Sequence, residues 1–204
     1  MLKRVVLCLC IGLLAAPSAF AVETAPSGVP SMGEALARGL TSPRRSSGGE
    51  AIAQDTYKCT ERTYIQSFYN SRFVSAELSY PGTQQGMLRA RAEHVGPWEY
   101  FQWCQSNSTP GYWSLWSNGA ERWVSTELGY PGGEYAMLRA RATGIGPWER
   151  FYEPYCPDKL HCSFKSTANN LYVSAEFAYQ GNNWGMLRAR ASAIGEWERF
   201  FYLG

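Results

Sequence analysis

The residues of this chain best suited to chemistry come in threes. Glu77, Glu127 and Glu176 are each followed twelve positions later by an arginine, Arg89, Arg139 or Arg188, inside the repeated string "MLRARA" (87–92, 137–142 and 186–191). A carboxylate beside a guanidinium can grip sugar hydroxyls or an acidic group, or it can hold two strands together. A paired-carboxylate glycosidase needs two acids in distinct environments, whereas here every glutamate comes with its own arginine. Cross-strand opposite charges contribute about 0.2–1 kcal/mol each, so the triplicate pairing reads first as structure. The chain holds two histidines, His94 and His161, and no evident Ser/His/Asp, Cys/His or metal-binding set. No catalytic residue, metal or cofactor is expected, and a hydrolase is the weakest functional reading.

A second set of three is less uniform. "YPGTQQG" (80–86), "YPGGEYA" (130–136) and "YQGNNWG" (179–185) keep Tyr80, Tyr130 and Tyr179 but place Gln85, Tyr135 or Trp184 five residues later. Aromatic rings beside amide and carboxylate groups suit carbohydrates, whose faces stack on rings while their hydroxyls take hydrogen bonds. These six residues form the candidate ligand-binding set. The structural alternative is a turn tyrosine packed on its own proline.

The elements that must position them follow from the length of the repeat. Residues 73–101, 123–151 and 172–200 align without a gap, at offsets of 50 and 49. Such a period marks supersecondary units that bury their apolar faces on one another. In "FVSAEL" and "MLRARA" the residues alternate with period two, which means strands. Between them Pro81 followed by Gly82 suits the inner positions of a type II turn, so each pair is a hairpin. A further strand precedes the hairpin ("TYIQSF", "YWSLWS", "CSFKS") and another follows it, as in "PWEYFQW". Four strands in each of three repeats give twelve, the arithmetic of an all-β β-trefoil: six strands close a barrel and three hairpins cap one end. A small propeller is the runner-up, but blades need at least about four copies. Trp98, Trp148 and Trp197, with Phe101, Phe151 and Phe200, are expected to fill the core. Gly96, Gly146 and Gly195 are expected in turns that need unusual backbone angles.

The flanks belong to other problems. Lys3, Arg4, the run "VVLCLCIGLLAA" and the small residues Ala19 and Ala21 read as a secretory signal, 1–21, cleaved after Ala21. Residues 22–54 are rich in Ser, Pro, Gly and Ala and lack aromatics, which reads as a flexible linker, with "MGEALARGL" as a short helix and a pro-segment as the alternative. The domain is expected over 55–204. Export to a secreted or periplasmic location makes Cys59, Cys104, Cys156 and Cys162 disulfide formers rather than zinc ligands, and "CPDKLHC" has the wrong spacing for a zinc knuckle. In a trefoil, the first and last strands of a repeat pair antiparallel. This favours Cys59–Cys104 and Cys156–Cys162 among the three pairings.

The pattern aromatic-Val-Ser-Ala-Glu, then Leu-x-Ala, then Gly-x-Trp-Glu-x-Phe resembles the fascin-like β-trefoil domain, including its short secreted bacterial forms. The resemblance spans all three repeats, from about residue 57 to 204. Fascins proper bundle actin in the cytosol with four tandem trefoils; this chain has one, behind an export signal. The resemblance therefore implies the fold and carries no catalytic motif.

Charge narrows the partners. From Asp55 to Gly204 there are 14 Lys plus Arg and 14 Asp plus Glu, so the domain lacks the basic surface that releases phosphate counterions from nucleic acid. No stretch after the signal is long and apolar enough to span a bilayer. The expected protein is a non-enzymatic, lectin-like binding module for a glycan or cell-surface polysaccharide, or alternatively for an extracellular protein, as an inhibitor or a filament binder would be.

Overall fold

The computed structural model describes residues 42–45, 56–158 and 160–203. The expected signal segment and the "MGEALARGL" helix lie outside the described residues. Inside the segment read as a linker, strand β1 (Ser42–Arg45) departs from that reading by pairing antiparallel with β2 (Thr56–Cys59), which in turn pairs with the last strand of the first repeat.

The first repeat has the four expected strands: β3 (Thr63–Ser67), β4 (Phe73–Glu77), β5 (Met87–Ala92) and β6 (Tyr100–Ser106). The second contributes β7 (Trp113–Ser117), β8 (Arg122–Glu127) and β9 (Met137–Ala142), and the third β10 (Tyr172–Glu176), β11 (Met186–Ala191) and β12 (Phe200–Leu203). β12 pairs with β3, β3 with β6 and β6 with β7. The circuit then closes through isolated bridges, Trp113 to Phe151, Tyr155 to Ser163 and Cys162 to Phe200.

Two of the six barrel positions, the end of repeat two and the start of repeat three, are thus extended segments rather than regular strands. The expected count of twelve within the repeats is corrected to ten, with β1 and β2 outside them. Pro154 and Pro157 sit at this junction and cannot donate to a ladder. The Cys156–Cys162 disulfide closes the chain between the two segments.

The hairpins β4–β5, β8–β9 and β10–β11 share one register, including a bulge after their first pair at Phe73, Trp123 and Tyr172. At each tip Gly82, Gly132 or Gly181 has φ near +60°, and one turn of 3-10 helix follows. This fits the positive φ that the Pro-Gly turn predicts.

Phe101, Phe151 and Phe200 are fully buried around Trp103, Ile65 and the hairpin leucines Leu88, Leu138 and Leu187. The tryptophan expectation is corrected: Trp98 and Trp148 are 36% and 43% exposed and Trp197 is half-buried. They lie in the turn before the closing strand, where strand alternation does not apply. Their neighbours Glu99, Glu149 and Glu198 are the buried members of that turn. Each of these carboxylates accepts the N–H of Gly96, Gly146 or Gly195 at 2.7 Å. None of the three glycines has a positive φ. A Cβ there would meet the carboxylate oxygen at 3.0–3.1 Å, so close approach, not an unusual backbone angle, accounts for them.

Candidate functional site

Where the three hairpins meet, side chains form layers about the pseudo-threefold axis. Met87, Met137 and Met186 are fully buried together, with Tyr80, Tyr130 and Tyr179 packed on them. Above, the side chain of Gln84 donates to Asn183 Oδ1 at 2.9 Å and to Glu134 Oε1 at 3.3 Å, drawing the three tips together.

The arginines of "LRAR" divide the labour. Arg89, Arg139 and Arg188 are buried, and each donates to the hydroxyl of the tyrosine of its own repeat, 2.5 Å for Arg89 to Tyr80, while its guanidinium lies 5.7–5.8 Å from that ring. The same side chain reaches the neighbouring tip. Nε of Arg89 donates to Trp184 O at 2.9 Å, that of Arg139 to Gln85 O at 2.8 Å and that of Arg188 to Tyr135 O at 2.7 Å. Burial draws the Arg89 guanidinium below the usual arginine pKa, against the opposing pull of Tyr80 and Glu77.

The ion pairs expected between Glu77 and Arg89, and at their equivalents, are corrected to the next arginine along. Glu77 pairs with Arg91, Glu127 with Arg141 and Glu176 with Arg190. Register alone leaves Arg89 nearer to Glu77 than Arg91 is, but Arg89 is taken by the Tyr80 hydroxyl and the neighbouring tip, so Arg91 reaches back along the strand to the carboxylate. Arg89 stands across from Ser75, and Glu77 across from Met87. The carboxylate is almost fully buried and the arginine is nearly half exposed. Glu77 Oε2 also takes a second hydrogen bond, at 2.7 Å. Its carboxylate bond holds Arg91 above the usual arginine value despite partial burial, and Arg141 and Arg190 behave alike.

The six tip residues therefore do not form three equal pairs. The tyrosines turn inward onto methionine and arginine. Gln85 and Tyr135 are exposed, and Trp184 is half-buried. Gln85 borders a groove between repeats one and two, and Trp184 one between repeats three and one. In the groove between repeats three and one, Trp184 packs edge-to-face on Phe177 at 5.4 Å. Tyr69, 50% exposed on the following repeat, stacks on Phe177 at 4.9 Å, and Trp197 joins both rings at 5.8–5.9 Å. Tyr69, Phe177 and the Trp197 contact were missed in the sequence. Tyr69 lies before the aligned block, so the comparison of repeats did not reach it.

Outside the cap, Asp158 and His161 bond at 2.5 Å beside Ser163 and line a cavity of about 300 Å³ next to the Cys156–Cys162 disulfide. Ser163 Oγ and the imidazole share no hydrogen bond among the described residues. The ring is instead held against Phe68 and Phe201, 4.7 and 4.6 Å away. Burial pushes the Asp158 carboxyl upward, but hydrogen bonds from the His161 ring and from the His161 and Leu160 amides prevail and hold it at about 2. The geometry is that of a loop clasp.

Comparison with solved structures places this architecture among the β-trefoils. The designed threefold-symmetric protein ThreeFoil matches with a TM-score of 0.56 at 10% identity, covering 70% of this chain and 98% of its own. The BEL β-trefoil matches at 0.54 and 7% identity, over 78% and 99%. SeviL, solved bound to asialo-GM1 saccharide, matches at 0.49 and 17%, over 69% and 94%. At these identities the likeness to ThreeFoil and BEL establishes the fold. No family model and no curated protein matches the chain in sequence. Both expected disulfides, Cys59–Cys104 and Cys156–Cys162, are present. No helix among the described residues is long and apolar enough to cross a membrane.

Proposed function

We propose that this protein is an exported, non-enzymatic carbohydrate-binding module of the fascin-like trefoil type, acting through the grooves beside its hairpin tips. The observation that carries the reading is the ring cluster of Tyr69, Phe177, Trp184 and Trp197, partly open to solvent. Aromatic faces at a surface cleft, with polar groups close by, suit a saccharide that stacks its apolar face and hydrogen-bonds its rim. Three unequal grooves around one axis bind a polymer with avidity that none has alone.

Affinity electrophoresis through a polymeric glycan tests this. Trp184→Ala is expected to lower retention at least about fivefold, the scale of one central aromatic contact, and Gln85→Ala to lower it much less. Gln85→Ala is expected to stay within about 0.5 kcal/mol of wild-type stability, as exposed positions do, and Trp184→Ala, which lifts a half-buried ring off Phe177, to lose about 1–2 kcal/mol without unfolding the domain. Equal retention of the two variants returns the tips to a structural role. A second reading, binding of an extracellular protein, has its own observation in the exposed Trp98 and Trp148, because exposed tryptophans favour interfaces. Retention on protein but not on glycan, lost in Trp148→Ala, would favour it.

A further inference from the structure

The three inter-repeat grooves are built from equivalent positions but furnished differently: the one between repeats two and three has Leu171 and Ser192 where repeat one has Arg72 and Glu93, and the one between repeats one and two keeps the arginine without its carboxylate or the asparagine. In the groove between repeats three and one, the Asn70 amide donates to Ala90 O at 2.9 Å, and Arg72 pairs with Glu93 at 2.5 Å. In the groove between repeats two and three, the Asn169 amide likewise donates to Ala189 O at 2.7 Å. The positive φ of the next residue, Ser71, Glu121 or Asn170, fixes the correspondence. In the groove between repeats one and two, the asparagine is replaced by Ala120 and the carboxylate of Glu93 by Thr143.

Ala120 and Arg122 both border an open space. A cavity of about 240 Å³ lies there, lined by Leu78, Gln85, Ala120, Arg122, Ala140 and Arg141 with their neighbours. Arg141 is committed to Glu127. Arg122 donates to the backbone oxygen of Glu121 and has no ion pair among the described residues. This groove thus offers a guanidinium without its carboxylate, beside a cleft without its amide. The volume falls below the roughly 300–1,000 Å³ of sites for drug-sized ligands, and so suits one small substituted ring.

We propose that the groove between repeats one and two is a site for an anionic saccharide, its carboxylate or sulfate taken by Arg122 and its ring seated over Ala120 against Leu78. This rests on the carbohydrate-binding reading and names the class of sugar. A guanidinium fork matches the planar or tetrahedral oxygens of either group.

The sister grooves supply the controls. Ala120→Asn restores the amide that donates to the alanine oxygen elsewhere, so it fills the cleft without disturbing the fold. Thr143→Glu restores the missing partner of Arg122. The probes are methyl glucuronide, glucose 6-sulfate and methyl glucoside, titrated into the folded protein and followed by amide and arginine Nε–H NMR shifts. The wild type is expected to bind one or both anionic sugars about tenfold more tightly than methyl glucoside, the scale of one charge-assisted contact, with shifts centred on residues 120–122 and 140–141. A preference for glucuronide assigns a carboxylate, and a preference for the sulfate ester assigns a sulfate. Ala120→Asn, Thr143→Glu and Arg122→Gln should each abolish the preference, with spectra otherwise unchanged. Equal binding of all three sugars, or a preference that survives Ala120→Asn and Thr143→Glu, overturns the inference and leaves the aromatic groove standing. Absence of any sugar shift, together with no retention on polymeric glycan, overturns both.

Discussion

At the scale of the residue, the repeated "LRAR" carries two arginines with different tasks. Arg91 neutralises a glutamate that is almost fully buried, while its own side chain is 40% exposed. The pair is therefore unequal under mutation. Arg91→Ala leaves Glu77 buried without its counter-ion and is expected to cost about 3 kcal/mol, whereas Glu77→Gln leaves a guanidinium that water can reach and is expected to cost about 1–2 kcal/mol. Urea denaturation of the two variants checks the order; equal losses would mean that the carboxylate has another partner. The glutamates and arginines were legible in the sequence as structural charges, but their pairing was not. Strand alternation groups Glu77 with one face of the hairpin, while the reach of a long arginine decides which neighbour closes on it. Gly96 was legible as special for the wrong reason, because an alignment shows only that a side chain is excluded and not what excludes it.

At the scale of the element, the hairpins follow from their alternation and turn residues, and the two strands missing from the barrel are where that signal is interrupted. "YCPDKLHC" reads as a loop between neighbouring repeats, yet it also supplies two barrel positions through isolated bridges at Tyr155 and Cys162. The Asp158 clasp stabilises this loop in a pH-dependent way. Its folded carboxyl titrates near 2, below the ordinary value of 3.8. The contribution is therefore complete above about pH 4 and is lost as pH falls through 2. Comparing thermal midpoints of wild type and Asp158→Asn from pH 6 down to 2 should show a gap that closes only at the acid end. A gap that persists unchanged at pH 2 would assign the effect to something other than the carboxylate. The asymmetry of the grooves belongs to this scale too. Aligned side by side, the repeats display Asn70, Ala120 and Asn169, but only the bonds to Ala90 and Ala189 reveal that the alanine leaves a space.

At the scale of the whole molecule, the fold was the most legible property, since period, turn chemistry and repeat number agree on it. Two covalent ties reinforce it unequally. Cys59 and Cys104 face each other across β2 and β6 and are separated by 45 residues; Cys156 and Cys162 are separated by 6. On the chain-entropy account the first contributes about 4 kcal/mol and the second about 2 kcal/mol. Replacing each pair by serines and measuring unfolding free energy should reproduce that order; a larger loss from the short loop would point instead to the barrel contacts it anchors. The arginine contacts at the cap have a direction as well. Arg139 holds the tip of repeat one, Arg188 that of repeat two, and Arg89 that of repeat three. Each unit offers a hand on one side and a wrist on the other, and the third grasp returns to the first. In assembly terms this is a heterologous interface that closes after three steps, so the protein is built as a cyclic trimer whose subunits share one chain. That shared chain is what allows the units to differ, because it fixes their order and so keeps three unlike grooves in one fixed sequence around the ring.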